Sequence, residues 1–365
     1  MALQDIGSNI RRYMKIQHLS IPRLAQSCGL GVATVSNLLN GKNSPNTSTL
    51  LKISTALDIP LQKLVADAPQ LRAFRFRTQK TMSAREKAEQ QEMLTDSARW
   101  LKDYNELEEL TNDTIRFRLK GDYAHLTPEE AAKKVRGELG VTGKEPIADI
   151  VNLIENAGVK VRISSFGFKQ TFGISVGKGD GGPAIFVNSY TGISIERQIF
   201  TVAHELGHIL MHLASYDENC GDEDKKEEAA ADSFASFFLM PREAFAEKWE
   251  EFKGSSWLDT VLRMKRYFNV SYKTVLMRYC AMHPRYSMGD LSSRFASLYK
   301  QEYGHDLKDH YEPNAIDDLA FAKSNRFNLL VRKAYETGVI SFSRAVEILD
   351  ITTEKMRDIV ATWTI

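Results

Sequence analysis

One short run of residues constrains this chain more than any other. The stretch Ile195-Glu-Arg-Gln-Ile-Phe-Thr-Val-Ala-His204-Glu205-Leu-Gly-His208-Ile-Leu-Met-His212 carries apolar residues at helical spacing, namely Ile199, Val202, Ala203, Leu206, Ile209 and Leu210. That pattern predicts a largely buried helix. His204 and His208 are four residues apart, so their imidazoles lie on one face about one turn from each other. Two neutral imidazoles so placed can hold a zinc ion at ~2.0–2.1 Å per nitrogen. Glu205, next to the first of them, is placed to reach a water on that metal. The bland alternative is a hydrogen-bonded core without a metal.

A third ligand strengthens the metal reading. Twenty residues beyond His208 begins Glu228-Ala-Ala-Ala-Asp232-Ser-Phe-Ala-Ser-Phe-Phe-Leu-Met-Pro241. Ala231, Phe234, Ala235, Phe238 and Leu239 form the core stripe of a second helix, which Pro241 ends. Glu228 and Asp232 again share a face. The Glu228 carboxylate completes a His₂Glu set with a fourth position left for water, which is the catalytic rather than the structural zinc pattern. Asp232 can accept the second ring N–H of a ligating histidine and fix its tautomer. His212 does not extend the set to a third histidine of the His-x-x-Gly-x-x-His kind, since Met211 and Ala214 stand where Gly and His would be needed. His212, Tyr190, Tyr216 and His283 are the candidates for stabilising a developing oxyanion.

The rest of the chain frames this site. At 365 residues, two or three domains are expected. Apolar residues make up 43% and charged residues 26%, values of an ordinary globular protein. The formal net charge is +1, which argues against a wholly basic nucleic-acid protein and leaves local patches open. The three cysteines, Cys28, Cys220 and Cys280, are far apart. They offer no disulfide framework, so a reducing cytoplasm is the expected setting. No apolar run approaches the ~18 residues of a membrane span, and the start has no signal-peptide pattern.

Charge is uneven. Residues 1–65 carry a net +5 in a pattern of short helices. Ile6, Ile10 and Tyr13 or Met14 make the first stripe. Ser20 caps a second helix with Pro22 in its first turn, and Gly29 stops it. A third helix from about Val32 to Leu39 turns Val35, Leu38 and Leu39 inward. Thr47 or Ser48 caps a fourth. Two short helices joined by a tight glycine turn are helix-turn-helix geometry. The stretch Leu24-Ala-Gln-Ser-Cys-Gly-Leu-Gly-Val-Ala-Thr-Val-Ser-Asn-Leu-Leu-Asn-Gly-Lys resembles the phage-repressor-like (Cro-type, Xre) family. Thr49-Leu-Leu-Lys-Ile-Ser-Thr-Ala-Leu matches the family's fourth helix. The resemblance implies that the Gly31–Leu39 helix lies in a major groove. Thr34, Ser36 and Asn37 would then reach base edges or phosphates, Val32 and Ala33 would touch thymine methyls, and Arg11, Arg12, Gln26 and Lys42 would meet phosphates. Many relatives have Gln where Val32 stands, which weakens adenine reading at that position.

Between Ala66 and Met82 a basic-aromatic run, Phe74 and Phe76 among Arg72, Arg75, Arg77 and Lys80, reads as a strand or arm packed on its own domain. Ser83 and Glu86 form a capping box for a long helix to about Leu110, and Thr127 and Glu130 form another. A further helix is expected from Pro146 to about Asn156. Val159–Ile163, Phe172–Val176 and Ala184–Val187 read as strands. The stretch from Ser215 to Asp232 carries a net −6; it reads as a solvated loop or, more sharply, as a flap favouring a basic substrate segment. Cys220 within it is a candidate to replace the zinc water and keep an enzyme latent.

The segment from about Glu129 to Arg278 resembles the ImmA/IrrE-type metallopeptidases, a gluzincin-like family. Glu196-Arg197, Phe200-Thr201, His-Glu-Leu-Gly-His, Glu-x-x-x-Asp-x-Phe-Ala and Leu239-Met-Pro carry the likeness, with Val270–Arg278 as a later helix. The resemblance implies His204, His208 and Glu228 as zinc ligands, Glu205 as the catalytic carboxylate and Asp232 as their support. Asp232 stands where relatives often have Asn.

The expected architecture is mainly α with a small β-sheet (α+β). A helix-turn-helix domain occupies 1–65, a linker and bracing helix 66–120, a zinc peptidase domain 121–281 and a helical region 282–365. That last region contains Ile340–Met356, which resembles a helix-turn-helix fragment and reads as a packing or dimerisation module. The expected function is a cytoplasmic transcriptional regulator with no membrane partner, one that binds operator DNA as a homodimer and uses Zn²⁺ to cut a repressor- or antitoxin-like protein or itself. The alternative is a non-catalytic repressor or antitoxin whose metal domain senses or scaffolds.

Overall fold

Five helices come first: α1 (Leu3–Ile16), α2 (Ile21–Cys28), α3 (Val32–Leu39), α4 (Thr47–Ala56) and α5 (Leu61–Leu64). Their cores meet because each short helix buries one stripe, with Ile6, Ile10, Leu24, Val35, Leu39, Ile53 and Leu57 all inside. Ser20 caps α2 by accepting from the Arg23 N–H at 3.4 Å. Asn46, not Thr47 or Ser48, caps α4, accepting from the Thr49 N–H at 2.8 Å. The structure is a computed structural model, and it describes residues 3–66, 69–76, 84–141, 143–216, 224–254, 256–307, 312–317, 321 and 326–363. Ser83 of the first capping box and residues 217–223, Cys220 among them, lie outside the described residues.

The chain continues through β1 (Phe74–Phe76), α6 (Ala84–Leu110), α7 (Pro128–Glu138), α8 (Ile150–Glu155), β2 (Lys160–Ser164), β3 (Gly173–Val176), β4 (Ala184–Asn188), α9 (Ile195–Met211) and α10 (Lys225–Leu239). Then come α11 (Arg242–Phe252), α12 (Trp257–Phe268), α13 (Tyr272–Met282), α14 (Met288–Tyr303), α15 (Arg326–Glu336), α16 (Phe342–Leu349) and α17 (Thr353–Trp363). The architecture is mainly α with one small sheet. The capping box at Thr127 and Glu130 is formed. The helix expected from Pro146 starts later, because the Asp149 side chain accepts from the Asn152 N–H and fixes the first turn there.

The chain divides into two units, one of Met1–Leu71, Gln90–Thr114 and Arg326–Ile365, the other of Arg72–Glu89 and Ile115–Asn325. In the first unit, residues 90–110 of α6 link the five-helix bundle to α15–α17. The Arg99 guanidinium donates to Asn9 Oδ1 at 2.5 Å. Further along, Arg344 of α16 donates to Asp103 at 2.6 Å and Glu106 at 2.7 Å. Trp100, Tyr104 and Phe327 pack ring against ring, their centroids 5.0–5.6 Å apart. Residues 326–363 thus pack with the N-terminal bundle rather than standing alone.

The second unit is built around a four-stranded sheet of order β1-β3-β4-β2. β1 runs antiparallel to β3, β3 antiparallel to β4, and β2 parallel to β4. α9 packs against β3 and β4 on one side and along α10 on the other. At the start of α9 lies a buried charge. The Lys265 ammonium from α12 donates to Glu196 Oε1 at 2.5 Å and to the Asn314 carbonyl at 3.0 Å, and lies 3.5 Å from Glu312. Lys265 and Glu196 are 1% and 0% exposed. Burial pushes the Glu312 carboxyl up to about 7. Removing the central cation leaves Glu196 buried and uncompensated, which typically costs about 3–5 kcal/mol. Lys265→Met is therefore expected to lower the urea midpoint by a corresponding amount with little change in the slope of the transition.

Candidate metal centre

α9 opens at Ser194, whose hydroxyl accepts from the Arg197 N–H at 3.2 Å. Every residue from Ile195 to Met211 except Arg197 is buried. A helix apolar on nearly all sides has to be sandwiched, and the sheet and α10 do this. His204 and His208 sit in that sandwich, 2% and 1% exposed, with their Nε2 atoms 3.0 Å apart.

Glu228 reaches them from the first turn of α10. Its carboxylate oxygens lie 3.4 Å from His204 Nε2 and 3.0 Å from His208 Nε2. The approach depends on Gly207: a Cβ there would meet Phe234 Cδ1 of α10 at 2.9 Å. Behind the ligand atoms, His204 Nδ1 is 2.8 Å from Asp232 Oδ1, and His208 Nδ1 is 2.9 Å from His212 Nδ1. Both rings are thus turned so that Nε2 faces the shared point.

The donor set fits a zinc ion. One oxygen and two ring nitrogens lie within 4.8 Å of one another; the nitrogens are 3.0 Å apart, Oε1 lies 3.0 Å from His208 Nε2 and Oε2 3.4 Å from His204 Nε2. Tetrahedral ligands at ~2.0–2.1 Å from a metal stand roughly 3.3 Å apart. Burial would raise the Glu228 carboxyl, but bonds from both imidazoles hold it well below the usual carboxylate range. Burial lowers His204, yet its partners Asp232 and Glu228 outweigh this and hold it up at about 9. Burial pulls His208 down to about 4, with His204 adding to the effect.

Glu205 turns from α9 toward the sheet, beside the two histidines. It is 3% exposed, and the Ser175 hydroxyl of β3 donates to its Oε2 at 2.5 Å. Burial raises its carboxyl above the usual range, against the pull of His204 and Ser175. β3 comes close enough because residue 173 is glycine. A Cβ there would meet Thr201 Cγ2 at 2.5 Å and Glu205 Oε1 at 2.9 Å. The Arg75 guanidinium of β1 pairs with Glu227 and lies 3.7 Å from Glu228 Oε1. A cavity of about 410 Å³ opens nearby, lined by Phe172, Arg197, Phe200, Asp232 and Tyr272 among others.

Residues 154–279 match the family model of the IrrE N-terminal-like domain, a peptidase family, and residues 10–64 match a helix-turn-helix family model. The chain joins these two domains. A curated relative, an uncharacterized HTH-type transcriptional regulator (RghRB) of Bacillus subtilis strain 168, is 30% identical over 73 residues. Those residues are 20% of this chain and 52% of that protein, so the match spans about half of the relative's length.

The peptidase-family segment brings His204, His208, Glu228 and Asp232 together, with Glu205 beside them. Of the four oxyanion candidates, Tyr216 is buried, with its ring toward the Ser175 and Glu205 pair. His212 backs His208. His283 stacks instead on Tyr279, centroids 4.1 Å apart, and Tyr190 lies under the Lys169 ammonium. The sequence pattern does not mark Ser175 or Arg75 as site residues. A glycine inside the strand pattern Phe172-Gly-Ile-Ser-Val does signal a close backbone approach.

In the helix-turn-helix segment, Val32, Ala33, Thr34, Gln26 and Lys42 are exposed, and Ser36 and Asn37 partly so. Arg11 donates to Asn40 Oδ1 at 2.6 Å. Arg12 is turned to α16, donating to Asp350 Oδ1 at 2.8 Å and the Glu347 carbonyl at 2.7 Å. That geometry takes Arg12 out of reach of a phosphate. Among the described residues, no helix is long and apolar enough to cross a membrane.

Purified protein is expected to hold one zinc per chain by elemental analysis. His204→Ala and Glu228→Ala should each abolish stoichiometric binding, and chelation should lower the melting temperature of the wild type but not of these variants.

Proposed function

We propose that the peptidase-family segment hydrolyses a peptide bond with zinc at His204, His208 and Glu228, and that the helix-turn-helix bundle directs it to operator DNA. The observation that carries the reading is the convergence of three ligand atoms within 4.8 Å, with a buried carboxylate next in sequence to the first ligand. When bound, zinc supplies Lewis acidity that polarises a carbonyl and acidifies a water. Glu205 takes the proton of the attacking water and passes it to the leaving amine. Burial raises its carboxyl above the usual carboxylate range, the direction that makes it a stronger base. Ser175 fixes the carboxylate's rotamer, and Asp232 fixes the ring of His204. The Tyr216 hydroxyl, buried near Ser175 and Glu205, is the donor proposed for a developing oxyanion.

On the DNA side, α3 offers Val32 at 50% exposure, an apolar side chain suited to a thymine methyl. Thr34, Ser36 and Asn37 are the polar groups of the same helix, and Arg11, Gln26 and Lys42 are the phosphate set once Arg12 is set aside. Acting as a homodimer, two copies of α3 would address half-sites about one helical turn apart. The substrate is a repressor- or antitoxin-like protein, or this chain itself, in a cytoplasmic setting.

Glu205→Gln is expected to retain zinc and lower the cleavage rate by about 10²–10⁴-fold. Retained zinc with undiminished cleavage, or a wild-type protein with zinc that cuts no candidate, would instead favour a metal-stabilised scaffold. Lys42→Ala should weaken DNA binding evenly across sequences and reduce the salt slope by about 1, whereas Asn37→Ala should relax sequence preference. Titrations of labelled duplexes at several salt concentrations separate the two.

A further inference from the structure

β1 is an unusual part of the sheet. It comes from the segment joining the first bundle to α6 and lies outside the matched peptidase-family segment 154–279. It is only three residues long, yet it forms the edge next to β3, the strand whose Ser175 holds Glu205. Its register is Phe74↔Val176, Arg75↔Ser175 and Phe76↔Ile174. The Gly177 N–H donates to the Ala73 carbonyl at 2.9 Å, so by antiparallel alternation Arg75 and Ser175 form the next hydrogen-bonded pair. Directly paired residues share a face of the sheet. The Arg75 side chain therefore lies on the side where Ser175 meets Glu205, and it is about a tenth exposed, against Glu227 and Glu228.

The strand is also pinned at its start. Asp180, in the turn after β3, accepts through Oδ2 from the backbone N–H groups of Arg72 at 2.5 Å and Ala73 at 2.6 Å. Without β1, β3 would present unpaired backbone groups beside the catalytic carboxylate, an edge ready to accept an extended peptide. A basic side chain laid against Glu227 would complete the fit.

We propose that β1 is a tethered occupant of the substrate edge, and that the site takes extended peptides presenting a basic residue opposite Ser175. The word substrate rests on the hydrolytic reading above; the exchange of strands does not. A tethered strand competes at an effective concentration on the order of millimolar, so only a better-fitting segment displaces it. This holds the site closed to ordinary chains and reserves it for basic, extended ones.

The test uses the full chain carrying Glu205→Gln, so that no probe is consumed. The probes are a labelled pentapeptide copying residues 72–76, Arg-Ala-Phe-Arg-Phe, and the same peptide with Glu at the position of Arg75. Adding Asp180→Ala, which removes two N–H to carboxylate bonds, is expected to tighten binding of the copy peptide by about tenfold or more. It should also speed amide hydrogen exchange at Ser175, and the peptide should slow it again. The Glu peptide should not bind. Arg75→Glu, which sets a carboxylate against Glu227, should give the same two changes and serves if Asp180→Ala does not fold. Unchanged binding and unchanged Ser175 exchange in both variants, or equal binding of the Glu peptide, would overturn the proposal. Strand exchange as expected, in a protein whose wild type cuts nothing, would support the edge assignment while removing the hydrolytic reading.

Discussion

The close contact of α9 with α10 governs the second unit. Two imidazoles and two carboxylates sit inside a helix pair otherwise packed with Val, Leu, Ala and Phe side chains. Polar groups so placed are tolerated only when each finds a partner. The missing side chain at Gly207 lets Phe234 press onto α9, and that contact sets Glu228 and Asp232 at the heights of the two histidines. Toward the sheet, Gly173 does the same for β3 and Glu205. One helix thereby meets carboxylates from α10 and the Ser175 hydroxyl from the sheet. The buried Lys265 holds its start through Glu196.

Much of this was legible because the periodicities are strong. The stripes of α2, α3, α9 and α10 and the caps at Ser20 and Thr127 could be read directly, since helix propensity, capping and burial agree at those places. The closeness of the four polar side chains was legible for a different reason: spacing of four on each of two helices puts His204 and His208 on one face and Glu228 and Asp232 on another. Less legible were features that depend on the approach of distant segments. Asn46 displaced Thr47 and Ser48 as a cap, and Asp149 shortened the helix expected from Pro146, because a single side-chain bond decides where a first turn begins.

Arg12 and Arg75 show the same limit in charged residues. Arg12 belongs to a basic segment that reads as phosphate contacts, Arg75 to a basic-aromatic run that reads as a strand or arm packed on its own domain, and neither reading names the acidic partner. Arg12 meets Asp350 and Glu347, more than three hundred residues away in sequence, and Arg75 meets Glu227. A local charge count cannot see a partner delivered by the fold. Ser175 was invisible for the converse reason, since a serine inside a short strand carries no signal until Glu205 is placed beside it.

The discontinuous make-up of the first unit bears on how the protein is made. α1–α5 emerge early, whereas α16, whose Glu347 and Asp350 cover Arg12, follows almost three hundred residues later. At the usual elongation rates of about 5–20 residues per second, roughly 15–60 s separate the two. During that interval the nascent bundle shows Arg12 uncovered, a more basic surface than the finished molecule has. Newly begun chains would therefore meet polyanions, ribosomal RNA among them, on terms that completed chains do not share.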